Sequence, residues 1–173
     1  MNKQHLIIID GPNGAGKTTT SVLLHENLEN TVLLSFDKVK NFISNFQSSE
    51  KNILMTNQIM LSMAKQYLEG GFDVIVEAIF PEEKFVLPYL KIAKSKKVSV
   101  VAAYQIEAPF EVRAKRIKER PLAKGAKKKM TKQWIRRNDL RYFEKKYAGA
   151  QVITSHDKTT KEIVKIILKD LER

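Results

Sequence analysis

The sequence contains no cysteine and no long apolar run, and each absence excludes a class of protein. Without cysteine there can be neither disulfide bridges nor thiolate metal sites, which suits a reducing cytosol. No apolar run approaches the about 18 residues that span a bilayer. The four apolar residues 6–9 before Asp10 are also too few for the core of a signal peptide. We therefore expect a soluble, cytoplasmic protein without a membrane partner.

The chain also lacks internal repeats, a domain linker and any tract rich in proline and serine. Its 173 residues suffice for one domain, which at this size buries about 70% of its unfolded surface. The sequence therefore predicts a single domain over residues 1–173.

Acidic residues are scarce in one segment, and the net charge arises there. Lys and Arg total 31 against 19 Asp and Glu, a formal net charge of +12. Residues 113–146 hold 15 of the Lys and Arg with only three acids, so the rest of the chain is neutral. This basic segment is either a solvated helix face or a cationic lid over phosphates, which could also contact a phosphorylated or nucleic-acid acceptor. The two interpretations are compatible.

Glycine is used sparingly, but three of the seven glycines fall in one motif. Residues 11–18, Gly-Pro-Asn-Gly-Ala-Gly-Lys-Thr, match the Walker A pattern and directly follow the apolar run 6–9. Such a loop turns backbone N–H groups and a helix N-terminus toward phosphates. Lys17 would bridge the β- and γ-phosphates, and the Thr18 hydroxyl would ligate Mg²⁺. The residues expected to bind ATP are Gly11, Asn13, Gly14, Ala15, Gly16, Lys17, Thr18 and Thr19.

Five short apolar runs recur along the chain, separated by longer segments with helical spacing. They cover residues 6–9, 32–34, 74–76, 98–103 and 152–153. This alternation predicts a three-layer α/β/α fold with a five-stranded parallel sheet. Helices are expected from about Lys51 to Gly70, from Pro109, from Thr131 with Leu140, Phe143 and Tyr147 on one face, and through Ile163, Ile167 and Leu171. Low-complexity residues at about 120–131 predict an exposed, mobile basic lid.

Two carboxylates follow predicted strands, at the edge where ligands bind in a doubly wound sheet. Asp37 can orient and deprotonate an acceptor hydroxyl, although it would serve equally as a helix N-cap. Glu77 ends the third strand, where an acid holds Mg²⁺ or orients the acceptor. Its alternative is a solvent-exposed strand end. We predict Asp37 as the general base and Thr18 with Glu77 as the metal ligands.

Three arginines, Arg113, Arg116 and Arg120, precede the predicted lid. Guanidinium groups stack on adenine and fork onto phosphate oxygens. Cations contribute most where charge spreads in the transition state of phosphoryl transfer. The alternative is an ordinary basic helix face.

A few single residues carry weaker signals. Asp10 adjoins the glycine-rich loop, where we expect it to shape the turn or a water network. Trp134 with Ile135 is interpreted as a packing anchor. His156 follows the last strand, and its role is left open.

Together these residues resemble the P-loop phosphotransferases that include phage-type polynucleotide 5′-hydroxyl kinases and their small single-domain relatives. The resemblance implies that Asp37, in Asp37-Lys38-Val39-Lys40, is the general base. Lys40 replaces an arginine that would bind an acceptor phosphate, which keeps the charge but loses the bidentate fork. The resemblance also implies that Arg116 stacks on adenine and that Arg120 contacts the transferring phosphate.

Other families and functions compete with this interpretation. Transporter ATPases share a similar loop, but their Leu-Ser-Gly-Gly-Gln signature is missing. Thymidylate-type kinases share Gly-Ala-Gly-Lys-Thr-Thr but have an Asp-Arg pair that this chain lacks. Zeta-toxin-like sugar-nucleotide kinases share the Pro-Asn-Gly-Ala-Gly loop and a following Asp. We therefore predict an ATP- and Mg²⁺-dependent kinase whose acceptor is a nucleic-acid 5′-hydroxyl or a small molecule such as a nucleoside, antibiotic or sugar nucleotide. A non-catalytic nucleotide switch or nucleic-acid-binding module is the alternative.

Overall fold

The apolar run 6–9 lies at the centre of a parallel sheet in a computed structural model that describes residues 3–121, 130–145, 147 and 149–172. Strand β1 (His5–Asp10) contains this run and pairs on both sides. The other strands are β2 (Thr31–Ser35), β3 (Asp73–Glu77), β4 (Val100–Glu107) and β5 (Gln151–Thr154). Their order is β2-β3-β1-β4-β5, and every pairing is parallel. The predicted five-stranded parallel sheet is confirmed.

Helices cover both faces of the sheet, as the continuous apolar strands require. Leu6 and Ile8 face the layer formed by α3 (Glu50–Glu69) and α4 (Leu87–Ser95), where the buried cluster includes Met60 and Tyr89. Ile7 and Ile9 face α1 (Lys17–Glu26) and α7 (Thr160–Leu171). The three-layer α/β/α architecture follows from this alternation of side chains along β1.

Three further helices complete the described chain. The short α2 (Phe36–Lys40) follows β2, α5 (Phe110–Glu119) follows β4, and α6 (Lys132–Lys145) lies between α5 and β5. A 3₁₀ turn (Glu83–Phe85) precedes α4. Ala114 and Ile117 of α5 pack against Ile135 of α6 in a small separate core. The centre of the predicted lid, residues 122–129, lies outside the described residues. Within the described chain, no helix is long and apolar enough to cross a bilayer.

Two details of the sequence-based prediction are wrong. The strand expected at 98–103 begins at Val100, because the backbone N–H of Val98 still bonds to Ala93 at the end of α4, and it extends to Glu107 through its pairing with Thr154. The apolar face expected for α6 is also wrong. Leu140 is 66% exposed, whereas Ile135 and Tyr142 are buried.

The carboxyl ends of the strands bring the candidate site residues to one edge of the sheet. Glu77 at the end of β3 stands between Ser35 of β2 and Ile9 of β1 in the strand register. The glycine-rich loop leaves β1 directly after Asp10 and leads into α1. This edge is where a ligand binds in an open parallel sheet.

Candidate active site

The glycine-rich loop, residues 11–18, has the backbone geometry that an anion requires. Gly14 and Gly16 adopt positive φ angles of 78° and 105°. A Cβ on Gly14 would also lie 2.8 Å from the carbonyl oxygen of Arg113. Helix α1 begins directly after Gly16, and no side chain of the described chain caps it. Among the described residues, none accepts a hydrogen bond from the N–H groups of Gly14, Gly16, Lys17 or Thr18. These free donors at a helix N-terminus fit a phosphate group.

Lys17 is buried at the base of this loop. Its Nζ donates a hydrogen bond to the carbonyl oxygen of Pro12 over 3.2 Å. Burial lowers the pKa of its ammonium group, and the carboxylates of Glu77, Asp10 and Asp37 act in the opposite direction. The charge of Arg120 lowers this pKa further. Charges from four parts of the chain therefore act on one point beside the loop.

Glu77 bridges two hydroxyl groups at the carboxyl edge of the sheet. Its side chain is only 5% exposed. Oε2 accepts a hydrogen bond from Ser35 Oγ at 2.6 Å, and Oε1 accepts one from Thr18 Oγ1 at 3.3 Å. The predicted metal ligands Thr18 and Glu77 therefore lie side by side, and a hydroxyl with a carboxylate suits the oxygen preference of Mg²⁺. The alternative of a solvent-exposed strand end is wrong, because Glu77 is buried.

Asp37 lies on the exposed side of this edge. Ser35 occupies the N-cap position of α2 and Asp37 lies in the first turn, so the N-cap interpretation of Asp37 is wrong. The Asp37 side chain is 72% exposed, and its Oδ1 pairs with Lys40 Nζ at 2.5 Å. The carboxylate is accessible to an acceptor, and the predicted phosphate-binding Lys40 is its neighbour.

The three predicted arginines have three different environments. Arg116 donates from Nη2 to the carbonyl oxygen of Ser155 at 2.6 Å and from Nη1 to Ser155 Oγ at 3.0 Å. It also reaches the carbonyl oxygens of Gly14 and Ala15 at 3.4 Å. Arg120 follows α5 in an extended conformation and is exposed. Arg113 is almost completely buried and pairs with Asp139, so the basic-face interpretation is wrong for this residue.

Ser35 and Tyr142 support the site but were not predicted from the sequence. Ser35, which orients Glu77, could have been found because it is a polar residue at the end of an apolar strand. Asp10 does shape the turn, since Oδ1 accepts from the N–H groups of Gly11 at 2.6 Å and Phe80 at 3.0 Å. Its Oδ2 accepts from the Tyr142 hydroxyl at 3.1 Å. Tyr142 comes from a distant helix, and no local sequence signal indicates this contact.

The remaining predicted residues lie apart from this cluster. His156 is exposed beyond β5. Trp134 is 44% exposed, so of this pair only Ile135 is buried in the core. In the described part of the chain, no group of three or more His, Asp and Glu side chains could hold a metal ion.

Comparison with known proteins finds a matching family and named relatives. A family model described as an AAA domain matches residues 6–143, which is more than half of the chain. A protein of Archaeoglobus fulgidus named "Probable adenylyl-sulfate kinase" is 32% identical over 116 residues, covering 64% of this chain and 72% of that protein.

Solved structures share the fold over most of the chain. The structure of the Mycobacterium tuberculosis APS kinase CysC in complex with AMPPNP and APS has a TM-score of 0.73 at 14% identity. The alignment covers 100% of this chain and 100% of that chain. A chain of the Pnkp1/Rnl/Hen1 RNA repair complex has a TM-score of 0.68 at 16% identity, covering 84% of this chain and 46% of that chain. At these identities the likeness is one of fold.

Proposed function

This chain belongs to the AAA domain family and has the fold of a P-loop kinase, and we propose that it transfers the γ-phosphoryl group of ATP to a hydroxyl group of a small-molecule acceptor. The observation that carries this proposal is the contact of Thr18 with Glu77 beside the buried Lys17 at the carboxyl edge of the sheet, where Asp37 follows Ser35, the other partner of Glu77, by two residues. A site that only binds ATP needs no more than Lys17, Thr18 and Glu77. A reactive acceptor site needs the additional carboxylate.

The nucleotide end of the proposed reaction uses the loop and α1. The free N–H groups of Gly14, Gly16, Lys17 and Thr18 bind phosphate oxygens, and Lys17 exchanges its bond to Pro12 for the β- and γ-phosphates. Thr18 and Glu77 would hold Mg²⁺, which when bound neutralises charge on the phosphate oxygens. Ser35 keeps the Glu77 carboxylate turned toward Thr18.

The acceptor end uses Asp37. The carboxylate takes the proton of the acceptor hydroxyl as the hydroxyl oxygen forms its bond to the γ-phosphorus, and the bond from that phosphorus to the β–γ bridging oxygen breaks to leave ADP. The Asp37–Lys40 ion pair is exposed, so it opens at little cost when the acceptor binds. Lys40 is then available for an anionic group of the acceptor.

Two arginines complete the proposed site. Arg120, which leaves the end of α5, contacts the γ-phosphate and stabilises the charge that develops during transfer. Arg116 is held beside the loop by Ser155, so its guanidinium plane is fixed for stacking against the adenine ring.

A nucleotide-like small molecule is the acceptor that we favour. The relative from Archaeoglobus fulgidus is named for a kinase of a small nucleotide, and it aligns over most of its own length. One cation of the basic segment is also unavailable to a nucleic acid, because Arg113 is buried and pairs with Asp139. A nucleic-acid 5′-hydroxyl remains the second candidate, supported by the exposed Arg120 and Arg137 of the same segment.

The direct test is phosphoryl transfer from γ-³²P-labelled ATP to a panel of acceptors. The panel contains adenylyl sulfate, nucleosides, sugar nucleotides, aminoglycosides and a 5′-hydroxyl oligonucleotide. We expect the label to appear in a small-molecule acceptor and to be lost with Lys17→Ala. Release of labelled phosphate at the same slow rate with and without every acceptor, together with tight nucleotide binding, would instead identify a nucleotide switch.

A further inference from the structure

Arg113 belongs to the basic segment but is among the most buried side chains of the protein, at 1% exposure. Its guanidinium group makes four hydrogen bonds. Nε donates to the carbonyl oxygen of Ala108 at 2.8 Å, and Nη1 donates to that of Asn13 at 3.1 Å. The other two form a fork onto Asp139, with Nη1 to Oδ1 at 3.0 Å and Nη2 to Oδ2 at 2.5 Å. This geometry makes use of the planar guanidinium, which lysine cannot reproduce.

These contacts join three parts of the molecule. Arg113 lies on α5, Asp139 lies on α6, and Asn13 is within the glycine-rich loop. The loop also packs directly on α5, because a Cβ on Gly14 would meet the carbonyl oxygen of Arg113 at 2.8 Å and the Ile117 side chain at 3.1 Å. Arg113 is therefore the point at which the helices of the small core hold the loop.

The bond to Asn13 sets the direction of one phosphate-facing donor. The carbonyl of Asn13 and the N–H of Gly14 belong to the same peptide group, which is planar and trans. In such a group the C=O and N–H bonds point to opposite sides. Holding the carbonyl toward Arg113 therefore directs the Gly14 N–H away from α5, and no described residue accepts a hydrogen bond from it.

A buried ion pair is an expensive way to join two helices, since apolar residues of similar size often stabilise a fold as well or better. The hydrogen bond to the loop is what an apolar pair could not supply. We propose that Arg113 and Asp139 are positioning residues for the nucleotide: Asp139 fixes the guanidinium of Arg113, which in turn holds the Asn13 peptide so that the Gly14 N–H is ready to bind a phosphate oxygen. This inference rests on the proposed nucleotide site.

The chain offers a matched control on the same two helices. Glu111 of α5 pairs with Lys132 of α6 at 2.8 Å, and both side chains are about two-thirds exposed. Neither side chain contacts the loop within the described residues. Glu111→Gln thus removes an ion pair between α5 and α6 without touching the Asn13 peptide.

The experiment compares nucleotide affinity with stability in four variants: Arg113→Lys, Asp139→Asn, the double variant Arg113→Met with Asp139→Leu, and Glu111→Gln. Calorimetry gives the Kd of AMPPNP in the presence of Mg²⁺, and thermal unfolding gives the Tm of each variant. Selective ¹⁵N-glycine labelling reports the amides of the seven glycines in the nucleotide-free protein. The glycine signals are recorded without nucleotide, so they report on the loop even in a variant that does not bind AMPPNP. If the double variant does not fold, Arg113→Lys still tests the inference.

We expect Arg113→Lys and the double variant to raise Kd about tenfold, the loss of one charge-assisted hydrogen bond. Arg113→Lys and Asp139→Asn should lower Tm, and the double variant should recover that loss. The Gly14 amide signal should shift in Arg113→Lys and in the double variant. Glu111→Gln should match the wild type. An unchanged Kd and Gly14 signal in Arg113→Lys, beside a wild type that binds AMPPNP, would overturn this inference and leave the proposed function intact. A wild type that does not bind AMPPNP would overturn both.

Discussion

Single carboxylates near the nucleotide site differ in how their surroundings set protonation. Asp10 is buried beneath the loop, and desolvation raises the pKa of its carboxyl above 3.8 despite hydrogen bonds from Phe80 and Gly11. Asp157 lies on the surface beyond β5. Hydrogen bonds from the Lys158 and Thr154 side chains lower the pKa of its carboxyl to about 2. The two residues therefore contribute to stability with opposite dependence on pH.

For Asp10, the folded state holds its proton to a higher pH than the unfolded state does. The contribution of Asp10 to the free energy of unfolding should therefore fall as pH rises from 3.8 through the raised pKa. Asp10→Asn removes this titration while keeping an oxygen for the N–H groups of Gly11 and Phe80. We expect the stability of Asp10→Asn relative to the wild type to increase over that window, measured by urea unfolding between about pH 4 and 7.

Asp157→Asn is the control of opposite sign. The ionised form of Asp157 is favoured in the folded state, so its contribution is lost as pH falls from 3.8 through about 2. The stability of Asp157→Asn relative to the wild type should be constant over the window used for Asp10. A difference between wild type and Asp10→Asn that does not vary with pH would contradict the desolvation of Asp10.

Substitution of Asp37 should affect turnover and not nucleotide binding. Asp37 is exposed and bonds to Lys40 in the described chain, although its charge acts on Lys17. We expect Asp37→Asn to lower kcat by about 10²- to 10⁴-fold, because a general base contributes that much. The Kd of AMPPNP should change by less than about threefold, because Asp37 is exposed and its hydrogen bond in the described chain is to Lys40 and not to the loop. Glu69→Gln, at the end of α3 and the opposite edge of the sheet, serves as the exposed carboxylate control. Equal loss in both variants would remove Asp37 from the reaction.

Among the structural elements, the turn into α1 can be tested through its glycines. Gly16 has a φ of 105° and Gly71, in the turn before β3, has a φ of 83°. A Cβ would meet no atom within 4 Å at Gly71 and only one contact, at 4.0 Å, at Gly16, so neither substitution by alanine causes a clash. Because alanine disfavours a positive φ, each substitution should lower the free energy of unfolding by about 1–2 kcal/mol. Only Gly16→Ala should also weaken AMPPNP binding, because only that turn presents N–H groups to phosphate.

The two glycine variants are compared by thermal unfolding without nucleotide and by calorimetry with AMPPNP and Mg²⁺. Similar losses of Tm with a raised Kd for Gly16→Ala alone would support the role of the loop backbone. Equal affinities in the two variants would show that the loop conformation around Gly16 is not needed for binding.

The helices show why some elements are read correctly from sequence and others are not. For α7, the buried residues Ile163, Ile167 and Leu171 recur at regular spacing, and the sequence alone identifies them. In α6, polar contacts decide which face is inward. Tyr142 bonds to Asp10, and Asp139 pairs with Arg113, so both face the interior. Leu140 then lies on the outer face and is exposed. Those partners are more than twenty residues away in the chain, and apolar periodicity carries no information about them.

At the scale of the whole molecule, the sheet was predictable because its strands are continuous apolar runs between turns. The same regularity placed Thr18 and Glu77 at one edge, where the structure brings them into contact. The basic segment was harder to interpret, because charge counts do not separate cations that serve the fold from those that face solvent. Arg113 and Arg116 have buried or partly buried partners, whereas Arg120 is exposed.

This distribution of charge predicts how transfer depends on salt. A polynucleotide that contacts six to ten phosphates loses about 10³- to 10⁵-fold in affinity between about 50 and 200 mM salt. We expect kcat/KM for the favoured small acceptor to fall by less than about tenfold over that range, because few charges are involved. Labelling of a 5′-hydroxyl oligonucleotide with a steep salt dependence, and of no small molecule, would contradict our choice of acceptor.

The central claim is that the loop holds a triphosphate opposite the carboxylate that receives the acceptor's proton. A crystal structure with AMPPNP and Mg²⁺ tests it most directly. We predict the γ-phosphate among the N–H groups of residues 14–18, with the Asp37 carboxylate about 6 Å from its phosphorus, which leaves room for one hydroxyl oxygen between them. A nucleotide bound elsewhere, or an Asp37 side chain directed away from the γ-phosphate, would contradict the account.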